Sequence, residues 1–353
     1  MKNLLTALTL SFLTAHFASA TKTLDIYWVD VEGGAATLII TPARESILID
    51  TGNPGDRDAN RIHKVATEVA GVKQIDHLIT THFHLDHFGG AEPLSQLMDI
   101  ITVHDNGLPK NSPDKFKKVD PRWPIISKPY RNMKAVNRQV VAPGRKINLK
   151  QAEGSPELTL RCVAAMQKLI PLPKKQLPRN PLTGTVDNKA EDKSDNANSV
   201  GVLLSLGEFD FLDLGDLTWN VEAALVTPHN RVGIVDVYQV NHHGLDSSNN
   251  PLLIRSVQPR VSIMNNGHTK GCNPNTFKTL AGTKSIQAMY QVHKNLRKDS
   301  ENNSKDEYIA NKTHRDGCKG HYIKLSVAPD GREYTVSIPA HGHSRTFQSK
   351  ANL

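Results

Sequence analysis

The 353-residue sequence has only three cysteines, no internal repeat, and no apolar run of about 18 residues after its first twenty positions. A chain without such a run is predicted to have no membrane span, and one without a repeat or linker to form a single domain, here over residues 21–353. Three cysteines allow at most one internal disulfide. We expect it between Cys272 and Cys318, which lie in polar loop sequences, and we expect Cys162 to be a buried small hydrophobe.

The first twenty residues have the pattern of a secretory signal peptide. Lys2 gives a positive start, residues 4–17 are mostly apolar, and the small residues Ala18-Ser19-Ala20 end the segment. This pattern predicts export, either to a periplasm or to the medium. The alternative is a buried amino-terminal helix.

The formal net charge of +8 favours an anionic partner or substrate but does not identify one. The excess is concentrated between residues 110 and 150. One interpretation is a nucleic-acid surface that follows a phosphodiester backbone and stacks bases. The other is a solvated loop whose aromatic side chains pack on the core. The segment contains Lys115, Phe116, Lys117, Lys118, Arg122, Trp123, Lys128, Tyr130, Arg131, Lys134, Arg138, Arg145 and Lys146.

Apolar, β-branched runs separated by glycine and proline predict that most of the chain is strand. Residues 58–70 have helical spacing instead. Hairpins are expected around Gly207 and around Pro329-Asp330-Gly331, whereas residues 167–194 are polar, rich in proline and without periodicity, which predicts a loop or lid.

The stretch THFHLDHFGG, residues 81–90, follows the apolar strand pattern QIDHLITT. Alternate residues of a strand-to-helix loop can face one side, so His82 and His84 can hold one metal ion together. Asp86 and His87, one turn later, can reach a second ion. Imidazole and carboxylate ligands suit zinc, manganese or iron. The alternative is a polar loop in which these residues coincide by chance.

HFHLDH resembles the signature of the metallo-β-lactamase superfamily. Two further segments extend the likeness: FDFLDLGDL, which ends its strand pattern at Asp216, and VYQVNHHGLDSSN, which is similar to the HHGS segment of the branch related to ComEC/Rec2 competence proteins. DVEGGAATLI resembles that branch's opening strand, with Glu32-Gly33-Gly34 where many members have Gly-Gln-Gly. The likeness runs from about Leu24 to Phe347. It implies an α/β fold: a four-layered αβ/βα sandwich of two mixed β-sheets flanked by helices.

The resemblance also implies a dinuclear metal centre, with zinc as the favoured metal and manganese or iron as alternatives. His82 and His84 would bind the first metal, and Asp86 and His87 the second. Asp216 would bridge both metals. One of the paired histidines would complete the second site; His243 is favoured, which leaves His242 as an acid or substrate contact. The alternatives are a helix-capping role for Asp216 and a structural role for the histidine pair.

One ligand of the superfamily is missing. Many members place a third histidine on the first metal ahead of the bridging aspartate, but the corresponding stretch DNANSVGVLL offers Asp195 and Asn198 and no histidine. Asparagine is a poor zinc ligand, so Asn198 predicts a weak first site, a harder ion there, or a single tightly bound metal.

Two metals lower the pKa of a bound water and stabilise charge on the reacting oxygens, which serves phosphodiesters, lactones, lactams and thioesters alike. An aspartate at 216, where β-lactamases of this family more often have cysteine, argues against antibiotic hydrolysis. The basic chain and the nearest branch favour a phosphoester, most of all a phosphodiester, with His268, Lys270 and His293 as substrate-binding candidates and Asp86 and His242 as catalytic ones. A lactone, lactam or other acyl hydrolase is the alternative enzyme, and a non-catalytic surface or nucleic-acid binding protein is the alternative of another class.

Overall fold

The computed structural model describes residues 22–115 and 120–350. The predicted signal peptide and three members of the basic segment, Phe116, Lys117 and Lys118, lie outside these ranges. Within them, no helix is long and apolar enough to cross a membrane.

The first β-sheet has the strand order β18-β17-β16-β1-β2-β3-β4-β5-β6. The strands β3 to β6 run parallel to one another, and the other neighbours are antiparallel, so the sheet is mixed. Its strands are β1 (Leu24–Trp28), β2 (Thr37–Ile40), β3 (Ser46–Ile49), β4 (Gln74–Ile79), β5 (Asp99–Asp105), β6 (Asn137–Val140), β16 (Ile323–Val327), β17 (Glu333–Ile338) and β18 (His343–Gln348).

The second sheet has the order β15-β14-β13-β12-β11-β10-β8-β7, with β9 paired to β8. The strands β11 to β15 are parallel, and the remaining neighbours are antiparallel. Its strands are β7 (Lys146–Ile147), β8 (Leu158–Ala165), β9 (Lys168–Leu169), β10 (Gly201–Leu206), β11 (Phe209–Asp213), β12 (Val237–Gln239), β13 (Val261–Met264), β14 (Ala288–His293) and β15 (Ile309–Asn311).

Short helices connect the strands and cover the outer faces of both sheets. Local sequence explains several of their ends: α6 begins at a proline whose preceding residue, Asn250, accepts a hydrogen bond from the Leu252 amide at 2.9 Å. The helices are α1 (Asp56–Lys64), α2 (Leu85–Phe88), α3 (Ala91–Leu97), α4 (Trp123–Asn132), α5 (Trp219–Val226), α6 (Pro251–Val257) and α7 (Pro274–Ala281).

Three apolar layers hold these elements together. Because side chains alternate along a strand, Ile26 and Trp28 of β1 point into the layer between the two sheets, while Tyr27 and Val29 point into the layer under α1, α3 and α4. A third layer joins the second sheet to α5, α6 and α7. The structure therefore confirms the predicted α/β architecture of two mixed sheets flanked by helices.

The positions of two aromatic rings in the basic segment contradict the nucleic-acid interpretation. Trp123 and Tyr130 lie on α4 and are 4% and 1% exposed, packed edge-on against Phe83 and Phe88. These two aromatic rings cannot stack bases, so the interpretation in which they pack on the core is confirmed for them. The basic side chains of α4, Lys128 and Arg131, are exposed.

The predicted disulfide is wrong, since all three cysteines are free in the described structure. The Sγ of Cys272 donates to the Asn302 carbonyl at 3.2 Å, whereas the Sγ of Cys318 donates to Asp30 Oδ2 at 3.0 Å. The two thiols therefore form hydrogen bonds with different residues and not a disulfide with each other. Cys162 is buried in β8, as predicted.

Candidate metal centre

The candidate ligands lie where the carboxyl ends of strands from both sheets meet. His82 and His84 follow β4 of the first sheet, and α2 places Asp86 and His87 one turn later. Asp216 follows β11 of the second sheet, and the paired histidines follow its parallel neighbour β12. Residues far apart in sequence are thus brought together by the ends of buried strands.

Four of the predicted ligands form one tight cluster. Asp86, His87, Asp216 and His243 each offer a ligand atom, and these atoms all lie within 4.8 Å of one another. The Nε2 of His87 is 3.1 Å from Asp216 Oδ2 and 3.2 Å from His243 Nε2, and His243 Nε2 is 3.1 Å from Asp86 Oδ2. This cluster contains the predicted second-metal ligands together with the predicted bridging carboxylate.

The predicted first-metal pair adjoins this cluster. The His82 Nε2 atom lies 3.1 Å from His84 Nδ1 and 3.9 Å from Asp216 Oδ2. Asp216 therefore lies between the two groups of imidazoles, which is the position expected of a residue shared by two ions. The alternative in which Asp216 caps α5 is not supported, because Thr218 occupies the capping position of that helix.

The donor set fits divalent metal ions. In the pairs His82–His84 and His87–His243, ring nitrogens face each other at 3.1 and 3.2 Å, and at most one nitrogen of each pair can carry the proton of a hydrogen bond. A cation between such nitrogens would satisfy both lone pairs. The rings of His82, His87 and His243 are fully buried. Water therefore cannot take the place of a cation as the partner of their nitrogen lone pairs.

The electrostatics favour the metal-binding forms of Asp86, Asp216 and His82. Burial opposes ionisation of Asp86 and Asp216, yet His87 and the other nearby imidazoles hold the pKa of both carboxyls well below the usual value. Burial, reinforced by His87 and His84, holds the pKa of His82 well below 6.5, so its ring is neutral. Carboxylate and neutral imidazole are the forms that bind metals. Against burial, nearby carboxylates raise the pKa of His84 and, more strongly, of His87, so that a metal would displace the His87 proton.

Three of the four imidazole rings, those of His82, His84 and His87, are oriented by a further contact. Asp50 Oδ2 lies 2.7 Å from His87 Nδ1, Asp114 Oδ1 lies 3.1 Å from His84 Nε2, and Thr81 Oγ1 lies 3.1 Å from His82 Nδ1. Contacts of this kind fix which ring nitrogen faces the metal. Sequence reasoning missed Asp50 and Asp114; the position of Asp50 directly after β3, at the same edge of the sheet as His82, was the available signal.

A strained turn places the paired histidines. His242 and His243 both have left-handed backbone conformations, with φ of 52° and 55°, which non-glycine residues adopt rarely. The fully buried Glu222 stabilises the surrounding loop, because its carboxylate accepts hydrogen bonds from the amides of Asn249 and Asn250 at 2.8 Å each. Burial raises the pKa of Glu222 to about 7. Sequence reasoning did not identify this residue either.

The two histidines of the turn have different environments. His243 is fully buried in the ligand cluster, whereas His242 lies 3.5 Å from Asp216 Oδ2 and borders a cavity of about 410 Å³. Ser247 and Ser248 hydroxyls contact its Nδ1 at 3.0 and 3.2 Å, and burial lowers its pKa to about 4. His243 therefore lies among the clustered ligand atoms, whereas His242 faces the cavity.

Asn198 makes other contacts than those of a ligand. Its amide nitrogen donates to Asp195 Oδ1 at 2.9 Å, and its amide oxygen accepts from Gln167 Nε2 at 3.2 Å. Asn196, two residues earlier, is closer to the centre: its Nδ2 lies 3.3 Å from His242 Nε2, and its buried Oδ1 has no hydrogen-bond partner among the described residues. Of the two asparagines in this loop, Asn196 is thus the one in contact with a histidine of the centre, and Asn198 as a metal ligand stays a prediction.

The three substrate-binding candidates differ in burial and in the residues that they contact. The Lys270 ammonium contacts Asp86 Oδ2 directly and is partly exposed. His293 is fully buried, with its Nε2 2.5 Å from Asp30 Oδ1, and the ring of His268 packs beside it. Lys270 is thus in contact with a candidate metal ligand, and the burial of His293 argues against direct contact with substrate.

Comparison with known proteins supports the same superfamily. Residues 29–135 match the metallo-β-lactamase superfamily model. This segment contains His82, His84, Asp86 and His87. Asp216 and the paired histidines lie beyond it in sequence, but the fold brings Asp216 and His243 to within 4.8 Å of Asp86 and His87. The match does not distinguish the ComEC-like branch, which stays a prediction.

Individual relatives are distant. The chain is 35% identical over 78 residues to metallo-β-lactamase domain-containing protein 1 of Rattus norvegicus, a stretch that covers 22% of this chain and 30% of that protein. Among solved structures, the metallo-β-lactamase fold protein YhfI from Bacillus subtilis aligns with a TM-score of 0.42 at 10% identity, covering 76% of this chain and 95% of that one. A diphosphatase of the PhnP family aligns with a TM-score of 0.37 at 12% identity, over 69% and 87% of the two chains. Similarities this low say nothing about the reaction.

Proposed function

We propose that this protein is a metal-dependent hydrolase of phosphoesters, most of all phosphodiesters. The observation that carries the proposal is the buried convergence of Asp86, His87, Asp216 and His243, with the ammonium of Lys270 in contact with Asp86. A hydrolase-type fold with a candidate metal site supports hydrolysis, and a cation at its edge supports an anionic substrate.

The ligand assignment follows the distances. His82 and His84 would hold the first ion; Asp86, His87 and His243 would hold the second; and Asp216 would be shared. Nitrogen and carboxylate donors suit zinc, and they are compatible with manganese or iron. Bound divalent ions supply a water of lowered pKa and stabilise negative charge on the reacting group.

The chain's own residues would bind and orient the substrate. Lys270 pairs with Asp86, and its partly exposed ammonium can turn to an anionic oxygen once Asp86 is engaged by metal. His242 is neutral near pH 7, because its pKa is lowered to about 4. Its ring can therefore offer one N–H donor to a substrate oxygen, and Ser247 and Ser248 fix the ring's orientation.

Acyl hydrolysis is the second candidate, and one observation favours it. The cavity beside His242 is lined by Lys189 but also by Glu191 and Asp192, with Trp219 between, so its lining is not basic overall. A mixed lining suits a neutral substrate such as a lactone better than it suits a polyanion. Export, predicted from residues 1–20, remains part of the proposal for either substrate.

The test compares two substrates. We expect the chelated protein to be inactive, and zinc or manganese to restore hydrolysis of bis(p-nitrophenyl) phosphate in preference to p-nitrophenyl acetate. Asp86→Ala should lower the diester kcat/KM by at least about 10²-fold, because it removes a ligand and the partner of Lys270. Asp56→Ala, at an exposed carboxylate in the first turn of α1, is the control and should change little.

Two outcomes would count against phosphodiester chemistry. A reloaded protein that cleaves only the acetate ester would favour acyl hydrolysis. A protein that binds metal yet cleaves neither substrate faster than buffer would favour a non-catalytic binding role.

A further inference from the structure

A second group of metal-binding side chains lies apart from the candidate centre. Asp30 follows β1 of the first sheet, His293 ends β14 of the second sheet, and Cys318 lies in the segment between β15 and β16. One ligand atom from each falls within 4.8 Å of the others. His293 Nε2 is 2.5 Å from Asp30 Oδ1, and Cys318 Sγ is 3.0 Å from Asp30 Oδ2.

We propose that Asp30, His293 and Cys318 bind one divalent metal ion of the zinc type, separate from the ions of the hydrolytic centre. Carboxylate oxygen, imidazole nitrogen and thiolate sulfur are the three side-chain donors that zinc uses in proteins. The amide oxygen of Asn311, 3.6 Å from Cys318 Sγ, is available as a further ligand. A thiolate distinguishes this site chemically from the other, whose ligands are all nitrogen and oxygen.

The charge around the group leaves room for a cation. Two arginines contact three carboxylates in one connected network, and the proton of Cys318 would pass to solvent when a divalent ion binds. Binding would therefore add one positive charge beside these carboxylates. The network consists of Arg57, Arg61, Asp30, Glu32 and Asp58, with contacts between 2.6 and 3.2 Å.

Arg61 would compete with a metal ion for the carboxylate of Asp30, but Asp30 is not its only ionic partner. Its guanidinium contacts Asp30 Oδ2 at 3.0 Å and also Glu32 Oε1 at 3.2 Å. Arg61 therefore keeps an ionic partner if Asp30 turns to a metal. A salt bridge to Glu32 is retained, and the buried carboxylate of Asp30 gains a stronger partner.

The ligands combine burial with access. Asp30 and His293 are fully buried, whereas Cys318 is only half-buried and gives a path from solvent. The Nδ1 of His293 is buried without a hydrogen-bond partner among the described residues, so this ring is not fully satisfied by its protein contacts. Burial and Asp30 raise the pKa of the Cys318 thiol to about 11, so metal must displace that proton to bind.

A metal bound by Asp30, His293 and Cys318 would stabilise a loop that contacts the hydrolytic centre. It would join a strand end of each sheet to the segment before β16, and the loop after Asp30 reaches the candidate ligands. The Ala35 amide donates to the Asp86 carbonyl at 3.1 Å, and Gly33 packs closely on Gly267 and Lys270. The ion would thus fix the loop that supports Asp86.

Cobalt provides a direct test, because thiolate-bound Co²⁺ has an intense near-ultraviolet charge-transfer band that nitrogen and oxygen ligands do not give. We expect this band when reduced, metal-free protein is titrated with Co²⁺. Cys318→Ser should abolish it, while Cys272→Ser, at a buried thiol bonded to Asn302, should retain it. His293→Gln should weaken the cobalt affinity behind the band by at least about 10-fold.

The band also separates this proposal from the proposed function. A His82→Ala/His84→Ala double variant should lose hydrolysis but keep the band, so failure of catalysis leaves this test intact. Far-ultraviolet circular dichroism would confirm that each variant is folded. Absence of the band in the wild type, or its survival in Cys318→Ser, would overturn the proposal.

Discussion

Asp216→Asn is expected to lower metal-dependent diester hydrolysis by at least about 10³-fold. One oxygen of this carboxylate, Oδ2, lies 3.1 Å from His87 Nε2, 3.5 Å from both His242 Nε2 and His243 Nε2, and 3.9 Å from His82 Nε2. The substitution removes the negative charge at the centre of four imidazoles while keeping the shape of the side chain. Bound zinc per chain, measured by elemental analysis, should fall together with kcat/KM.

Asp213→Asn is the matched control for that experiment. Asp213 is a buried aspartate three positions earlier, and it accepts a hydrogen bond from the Gly215 amide at 2.9 Å. Burial raises its pKa to about 7, so a neutral side chain is tolerated there. We expect less than about a tenfold change in kcat/KM. Equal losses of kcat/KM in the two variants would contradict a specific role for Asp216 at the metal centre.

Gly271→Ala should disturb the second-metal site through the backbone of its histidine. A Cβ on Gly271 would lie 1.9 Å from the His243 carbonyl oxygen and 2.7 Å from its carbonyl carbon, at a φ of +79°. The adjacent Cys272 amide donates to the same oxygen at 3.0 Å, so the two segments cannot simply separate. We expect a loss of about 3 kcal/mol or more in the free energy of unfolding, combining left-handed strain with overpacking.

Gly233→Ala isolates the backbone contribution. Gly233 has a similar φ of +82°, but nothing lies within 4 Å of an added Cβ. This variant should lose only about 1–2 kcal/mol and keep wild-type metal affinity. Urea unfolding and zinc titration of both variants provide the comparison. If both lose the same stability and both keep their zinc, the close contact with His243 has no functional consequence.

The clustering of the candidate ligands could be predicted from sequence because their signals are local. His82, His84, Asp86 and His87 lie within six positions directly after a buried strand, and the end of such a strand is a fixed place in the fold. Asp216 likewise follows an apolar strand. Asp50, which orients His87, could have been found in the same way because it directly follows β3. Asp114, which contacts His84, could not, since it lies in an irregular loop whose path depends on tertiary contacts.

Other differences also have physical causes. The last strand, β18, reads HSRTFQ and is mostly exposed, so it lacks the apolar signal of a buried strand. Cys272 and Cys318 both lie in polar loop sequences, but loop composition carries no information about the distance between them. The basic segment was ambiguous because Trp123 and Tyr130 have amphipathic rings, which suit either a core or a nucleic acid; hydrogen bonds from Tyr130 to Thr80 and Asp105 place its ring in the core.

The most direct test of the central claim is a zinc titration of metal-free protein, with bound zinc and bis(p-nitrophenyl) phosphate hydrolysis followed together. Cys318→Ser is the form to use, because it removes the proposed thiolate site from the count. We predict that hydrolysis depends on zinc and saturates when about two ions are bound per chain. Hydrolysis that is unchanged in metal-free protein, or two bound ions without any hydrolysis, would contradict a dinuclear phosphoesterase.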